Sequence, residues 1–307
     1  MKRFLNTSIL LCRSVVLGGM VCGMVPLRAM ELVGRSWEVE SLHDALDIFA
    51  QTTSESLVVL DLDGTIAQPR DPIFRLVFTQ GAASTTEKNK AIFELYADFR
   101  QKKSEEFFVR ALLTALKHQL VEMVMSDIIH DLQQRKVPVL VLSAFEAKQS
   151  DIPEGSTHES RYQLLKGLGI DLSTSFDFQE RVLCEDVSDW YGTSIRYYKG
   201  IISTANRPKG VVLWDFMRLL REKKGLPHNI VFVDDVRENI VSVQKEMNWR
   251  GVANTVLWYT RALSQVDAKV LDVDVVKKQF DFILAHDSYI SYEDASRLGN
   301  SSEDSST

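Results

Sequence analysis

A chain of 307 residues, 45% hydrophobic and 25% charged, has an ordinary globular composition and suffices for one large α/β domain with an insertion, or for two domains. Its formal charge of −6 includes a basic start, since residues 1–29 hold Lys2, Arg3, Arg13 and Arg28 and no acid. The remainder is therefore more acidic still, which excludes nucleic acid as the default partner. Cys12 and Cys22 also lie in that start, so the remainder keeps only Cys184 and has no internal disulfide; Cys184 reads as a half-buried structural thiol.

The first 29 residues read as a secretory signal. Lys2, Arg3 and Arg13 precede an uncharged core from Val15 to Val25, and Leu27-Arg28-Ala29 offers a cleavage site with a bulky residue where a small one is usual. The core is shorter than the ~20 residues of a membrane span. The expectation is an exported protein, periplasmic or secreted, with no membrane span once the signal is cleaved; an uncleaved anchor is the alternative.

Val39 to Gln51 carries apolar residues at helical spacing. Leu57-Val-Val-Leu60 then has the length and composition of a buried parallel strand, and Asp61 and Asp63 stand where it leaves the core, with Gly64 to turn the chain. By itself this stretch is equally a surface Asp-Gly turn. About seventy residues of helical periodicity follow: Ile92, Leu95, Tyr96 and Phe99, then Phe108, Ala111, Leu112 and Ala115, then Val121, Val124, Ile128 and Leu132. The third stripe reads as a crossover helix into a strand at Val137 to Leu142, and the first two as a helical cap inserted over residues 66–118; the alternative is that all three simply cover the sheet.

Tyr162, Leu165 and Leu168 predict a short helix ending at Gly169, and Arg181 to Val187 with Ser194 to Ile202 predict short strands or a hairpin. Beyond Lys209 the pattern alternates: a helix through Leu213, Phe216, Met217 and Leu220, a strand from Asn229 to Val233, a helix from Val236 to Met247 and a strand from Val252 to Trp258. This βα alternation predicts a Rossmann-like α/β fold, a mainly parallel sheet with helices on both faces, built from residues 30–65 and 119–295. Asp274 to Leu284 predicts a last helix against the sheet, and residues 296–307 a disordered tail.

Three further segments place a polar group at a strand or helix end: Ser143 after the second strand, Lys209 at a helix start, and Asp234-Asp235 after Ile230-Val-Phe-Val233. Singly these are a helix N-cap, a surface lysine and a pair of capping acids. Together with Asp61 and Asp63 they make one ionic recipe: carboxylates for Mg²⁺, and a hydroxyl and an ammonium for phosphate. Lys199 and Arg181 are the alternatives to Lys209. The histidines His43, His118, His130, His158, His228 and His286 lack metal-ligand spacing, so no zinc site is expected. Trp190, Tyr191, Tyr197 and Tyr198 read first as packing and second as a substrate pocket.

The order Asp-x-Asp-Gly-Thr at 61–65, Ser143, Lys209 and Asp234-Asp235 resembles the haloacid dehalogenase (HAD) superfamily of phosphotransferases. More narrowly, Tyr198-Lys-Gly-Ile201, Lys209-Gly210 and Ile230-Val-Phe-Val-Asp-Asp-Val236 in an exported chain resemble the DUF2608 family of bacterial envelope proteins. The HAD resemblance implies that Asp61 is a nucleophile forming an aspartyl-phosphate and that Asp63 is the acid and base. It implies that Ser143 and Lys209 hold phosphoryl oxygens, and that Mg²⁺ sits among Asp61, the main-chain carbonyl of Asp63, Asp234 and Asp235. It also implies that the insertion is a cap that selects a small phosphorylated substrate. An acid two positions after the nucleophile favours phosphomonoester hydrolysis; a phosphotransferase or phosphomutase, or a catalytically silent binding protein of the envelope, is the alternative.

Overall fold

Leu57, Val58, Val59 and Leu60 are all fully buried, as in a strand covered on both faces. In the computed structural model, which describes residues 34–79, 87–103, 116–144, 156–184, 195–205, 207–264 and 271–298, these residues form the central strand of an eight-stranded sheet. The expected signal, the helix at Phe108 to Ala115, Trp190, Tyr191 and residues 299–307 of the expected tail lie outside the described residues, whereas Ser296 and Arg297, placed in that tail, are helical.

In chain order the elements are β1 (Arg35–Val39), a 3₁₀ turn (Leu42–Ala45) running into α1 (Leu46–Ala50), β2 (Ser56–Leu60), β3 (Ala67–Pro69), α2 (Pro72–Thr79), α3 (Glu87–Lys102) and β4 (His118–Leu120). There follow α4 (Val124–Gln134), β5 (Val139–Ser143), α5 (Ser156–Gly167), β6 (Glu180–Cys184), β7 (Ile195–Tyr198), β8 (Ile201–Ser203), α6 (Lys209–Lys224) and β9 (Asn229–Asp234). The chain closes with α7 (Arg237–Trp249), β10 (Ala253–Tyr259), α8 (Arg261–Ser264), α9 (Val273–His286) and α10 (Tyr292–Arg297).

The sheet order is β1-β10-β9-β2-β5-β8-β7-β6. Neighbours from β1 through β8 are parallel, and β7 runs antiparallel to both β8 and β6. The α/β fold expected from the βα alternation is the one observed. Alternate residues of β2 feed two separate cores: Val58 and Leu60 pack with the apolar faces of α4 and α5, whereas Leu57 and Val59 pack with those of α6 and α7. From β2 the chain steps to β5 and β8 on one side and later returns to β9 and β10 on the other. Such a reversal opens a crevice at the carboxyl ends of the strands it separates.

Three local readings differ from observation. The edge strand β1 pairs with β10 through Arg35↔Thr255 to Val39↔Tyr259; its mixed Arg-Ser-Trp-Glu-Val composition carries no strand signal. The helix expected from Val39 begins only at Leu42, as a single 3₁₀ turn before α1. The helix at Asp274 to Leu284 exists as α9, but it packs against α2 and α3 instead of the sheet.

That packing follows from which apolar faces lack a cover. The sheet is clothed by α4 to α7, while α2 and α3 expose Ile73, Phe74, Leu76, Val77, Ile92 and Phe99 towards a third core that Val276, Phe280 and Ile283 of α9 complete. Phe99 stacks on Phe280 with ring centroids 4.7 Å apart. The buried carboxylate of Asp71 fixes the join. Its Oδ1 accepts from the amides of Ile73 and Phe74 at the start of α2, and its Oδ2 from Gln279 Nε2, the Tyr289 hydroxyl and the Tyr292 amide at 2.9–3.0 Å. The segment that carries α2 and α3 leaves and returns through a small antiparallel pair, β3 with β4, in the register Ala67↔Leu120 to Pro69↔His118.

Candidate metal centre and active site

β2 and β9 lie side by side with Leu60 opposite Val233, so Asp61 and Asp234 leave the sheet as neighbours. The Asp61 amide donates to the Val233 carbonyl at 2.9 Å, carrying the pairing one residue past the strand. Leu60 pairs with Val141 on the other side, which puts Ser143 at the next strand end, fully buried. Its carbonyl accepts from the Thr204 amide at 2.8 Å.

Lys209 enters from the first residue of α6. Its side chain is 1% exposed, and Nζ donates to Asp61 Oδ1 and, at 2.7 Å, to Asp234 Oδ2. Gly210 makes this reach possible, because a Cβ there would stand 2.3 Å from the carbonyl oxygen of Ser242 in α7. Of the three candidate cations, Lys209 is therefore the one beside Asp61. Lys199 lies in the two-residue turn between β7 and β8, where it and Gly200 both have positive φ, and its ammonium stands over the Tyr162 ring, 4.4 Å from the centroid. Arg181 is exposed on the edge strand β6.

Asp61, Asp234 and Asp235 each offer a carboxylate oxygen, and these atoms lie within 4.8 Å of one another. That approximates the ~4–5 Å span across the coordination sphere of a hard divalent cation. Oxygen-only donors fit Mg²⁺, Ca²⁺ or Mn²⁺ and not a thiolate- or imidazole-seeking metal. Charge agrees, because three buried acids face one buried ammonium. Burial pushes the Asp61 carboxyl well above its ordinary range, against the pull of Lys209 and with the repulsion of Asp234 and Asp235. Burial, and then the charge of Asp234, raise Asp235 to about 7. Lys209 loses solvation too, but Asp61 and Asp234 outweigh that loss and hold it protonated above an ordinary lysine.

The acids differ in what already engages them. Asp234 Oδ1 accepts from the Val236 amide at 2.8 Å and from Asn239 Nδ2 at 3.1 Å, in addition to the lysine on Oδ2. Asp235 is held through its backbone, where Trp258 Nε1 donates to its carbonyl at 2.9 Å, and its carboxylate meets the Thr65 hydroxyl only at 3.5 Å. Gly64, at φ +85°, passes so close that a Cβ would lie 2.3 Å from Asp235 Oδ2. Asp63 stands outside the carboxylate group and accepts from Arg161 Nη1 of α5 at 2.9 Å.

The predicted residues Asp61, Lys209, Asp234 and Asp235 are thus in one cluster, Ser143 is on the adjoining strand end, and Asp63 is turned to a partner the sequence did not reveal. Thr65 stood inside the Asp-x-Asp-Gly-Thr run and Asn239 one helical turn past Asp235, so spacing could have found both. Arg161 had no such signal. Tyr197 is core, stacked on Phe216 at 5.6 Å, and the Tyr198 hydroxyl donates to Glu159.

The acidic strand ends, the paired lysine and the tight Lys199-Gly200 turn coincide with a match over residues 38–295 to the family described as a protein of unknown function, DUF2608. The chain belongs to the DUF2608 family. A search of curated proteins finds no match. No described helix is long and apolar enough to cross a membrane.

Proposed function

We propose that this DUF2608 protein is a Mg²⁺-dependent phosphatase that hydrolyses phosphomonoesters through an aspartyl-phosphate on Asp61. The observation that carries this reading is the buried contact of Asp61 with Lys209 and the Asp234-Asp235 pair at the carboxyl ends of two central parallel strands. Asp61, Asp234 and Asp235 would hold the metal, and Mg²⁺ when bound would offset the charge between an anionic nucleophile and an anionic substrate. Lys209 keeps one oxygen of Asp61 fixed, so the carboxylate is aimed before substrate arrives. The same ammonium and the Ser143 hydroxyl would bind phosphoryl oxygens. Asp63 would give a proton to the leaving oxygen and later take one from water. The basic, then apolar, first residues support export to the bacterial envelope, which a mature amino terminus read by mass spectrometry would test; a chain that still began at Met1 would contradict it.

Hydrolysis of a panel of aryl and sugar phosphates, with and without Mg²⁺, tests the activity. The expected result is metal-dependent turnover that Asp61→Asn lowers by at least ~100-fold. Absence of turnover on every ester would favour the silent binding protein, and phosphoryl transfer to a sugar phosphate in place of water would favour a mutase.

A further inference from the structure

The Arg161–Asp63 ion pair spans 98 positions of sequence and joins two unequal partners, an arginine side chain 6% exposed and an aspartate side chain 47% exposed. The buried guanidinium is the fixed one. Tyr162 and Leu165, its neighbours on α5, are sunk in the core, and the Tyr162 hydroxyl donates to the Asp171 carboxylate. Removing one member of a buried ion pair is costly, so the contact with Asp63 is worth keeping.

The main chain around Asp63 is equally constrained. Asp63 bridges to Ala67, the Gly64 amide donates to the Ala67 carbonyl at 2.8 Å, and the Ile66 and Ala67 amides both donate to Leu62. The turn fixes the main chain of Asp63, and Arg161 Nη1 holds Oδ1 at 2.9 Å. A cavity of about 670 Å³ opens between α5 and the β3–β4 pair, lined by Arg70, Lys117, His118, Ser160 and Gln163 among others, and neither Asp63 nor Arg161 is part of its wall.

We propose that Arg161 is a positioning residue for Asp63: it pins Oδ1 so that Oδ2 faces the leaving oxygen in the first half-reaction and water in the second. This rests on the phosphatase reading above. In the first half, a bond forms from Asp61 to phosphorus, the ester P–O bond breaks, and the proton on Oδ2 passes to the departing oxygen. In the second, water oxygen bonds to phosphorus, its proton passes to Oδ2, and the bond to Asp61 breaks, releasing phosphate.

The test is kcat/KM with Mg²⁺ for wild type, Arg161→Ala, Arg161→Lys, Asp63→Asn and the Asp63→Asn/Arg161→Ala double variant. The substrates are para-nitrophenyl phosphate, whose phenolate leaves readily unprotonated, and phenyl phosphate, which needs the proton. A residue acting through Asp63 predicts a loss of about 10-fold or more on phenyl phosphate and under about 3-fold on the nitrophenyl ester for Arg161→Ala. Lysine should rescue in part, and adding Arg161→Ala to Asp63→Asn should cost nothing further. Equal losses on both esters, or full additivity, would overturn the proposal while leaving the phosphatase reading intact. Lack of any wild-type turnover would remove that reading and this one with it. If Arg161→Ala does not fold, the lysine variant carries the same comparison, and equal losses there count against the proposal.

Discussion

At Lys209 an ammonium inside the protein is balanced by two carboxylates, and a third lies beside them. Breaking a buried ion pair by removing one member leaves its partner charged in a poor solvent, at a cost of about 3–5 kcal/mol. Lys209→Met should therefore lower the urea-melt stability of the metal-free protein by about 3 kcal/mol, and Mg²⁺ should restore part of it; an unchanged midpoint would show that the lysine does not balance the cluster. Asp235 gives a sign for pH. Its folded pKa, about 7, lies above the ordinary 3.8, so between those values the folded state binds more protons than the unfolded one. Cation-free stability should fall as pH rises through that window and level off above it. A cation needs the ionised acid, so the melting-temperature gain from Mg²⁺ should grow from about pH 5 to about pH 8, and a gain independent of pH would place the ion elsewhere. These strand-end acids were legible because a buried strand and the group that ends it are adjacent in sequence. Arg161 was not legible, because its partner is set by the packing of α5 and not by local pattern.

Among elements, Asp71 joins two parts of the chain that no periodicity connects. It caps α2 and receives Gln279, Tyr289 and the Tyr292 amide from the carboxyl-terminal segment. Asp71→Ala leaves several buried donors without an acceptor, for which about 2–4 kcal/mol is expected. Hydrogen exchange should locate the loss in α2, α3, α9 and α10, with β2 and β9 still protected; a uniform loss across the sheet would contradict this division. Helical spacing found α3, α4, α6, α7 and α9 but not which surface each would cover, since an amphipathic stripe states that a face is buried and not against what. The hydrophobic α2 lacked enough turns for its period to stand out, and β1 is a strand only because β10 offers it an edge.

Over the whole molecule, one sheet carries the acids and one helical layer, closed by the carboxyl-terminal segment, stands on the β3–β4 pair that follows them. This arrangement matches the expected α/β fold, and it adds a dependence of α2 and α3 on residues two hundred positions away that no single stretch of sequence contains. The chemistry assigned to the acids depends on one covalent event. Wild-type protein incubated with Mg²⁺ and a phosphomonoester, quenched in acid and digested, should yield a peptide phosphorylated on the Asp61 carboxyl, and Asp61→Asn should yield none. Turnover without such an adduct, or an adduct that persists when Asp61 is replaced, would contradict the account.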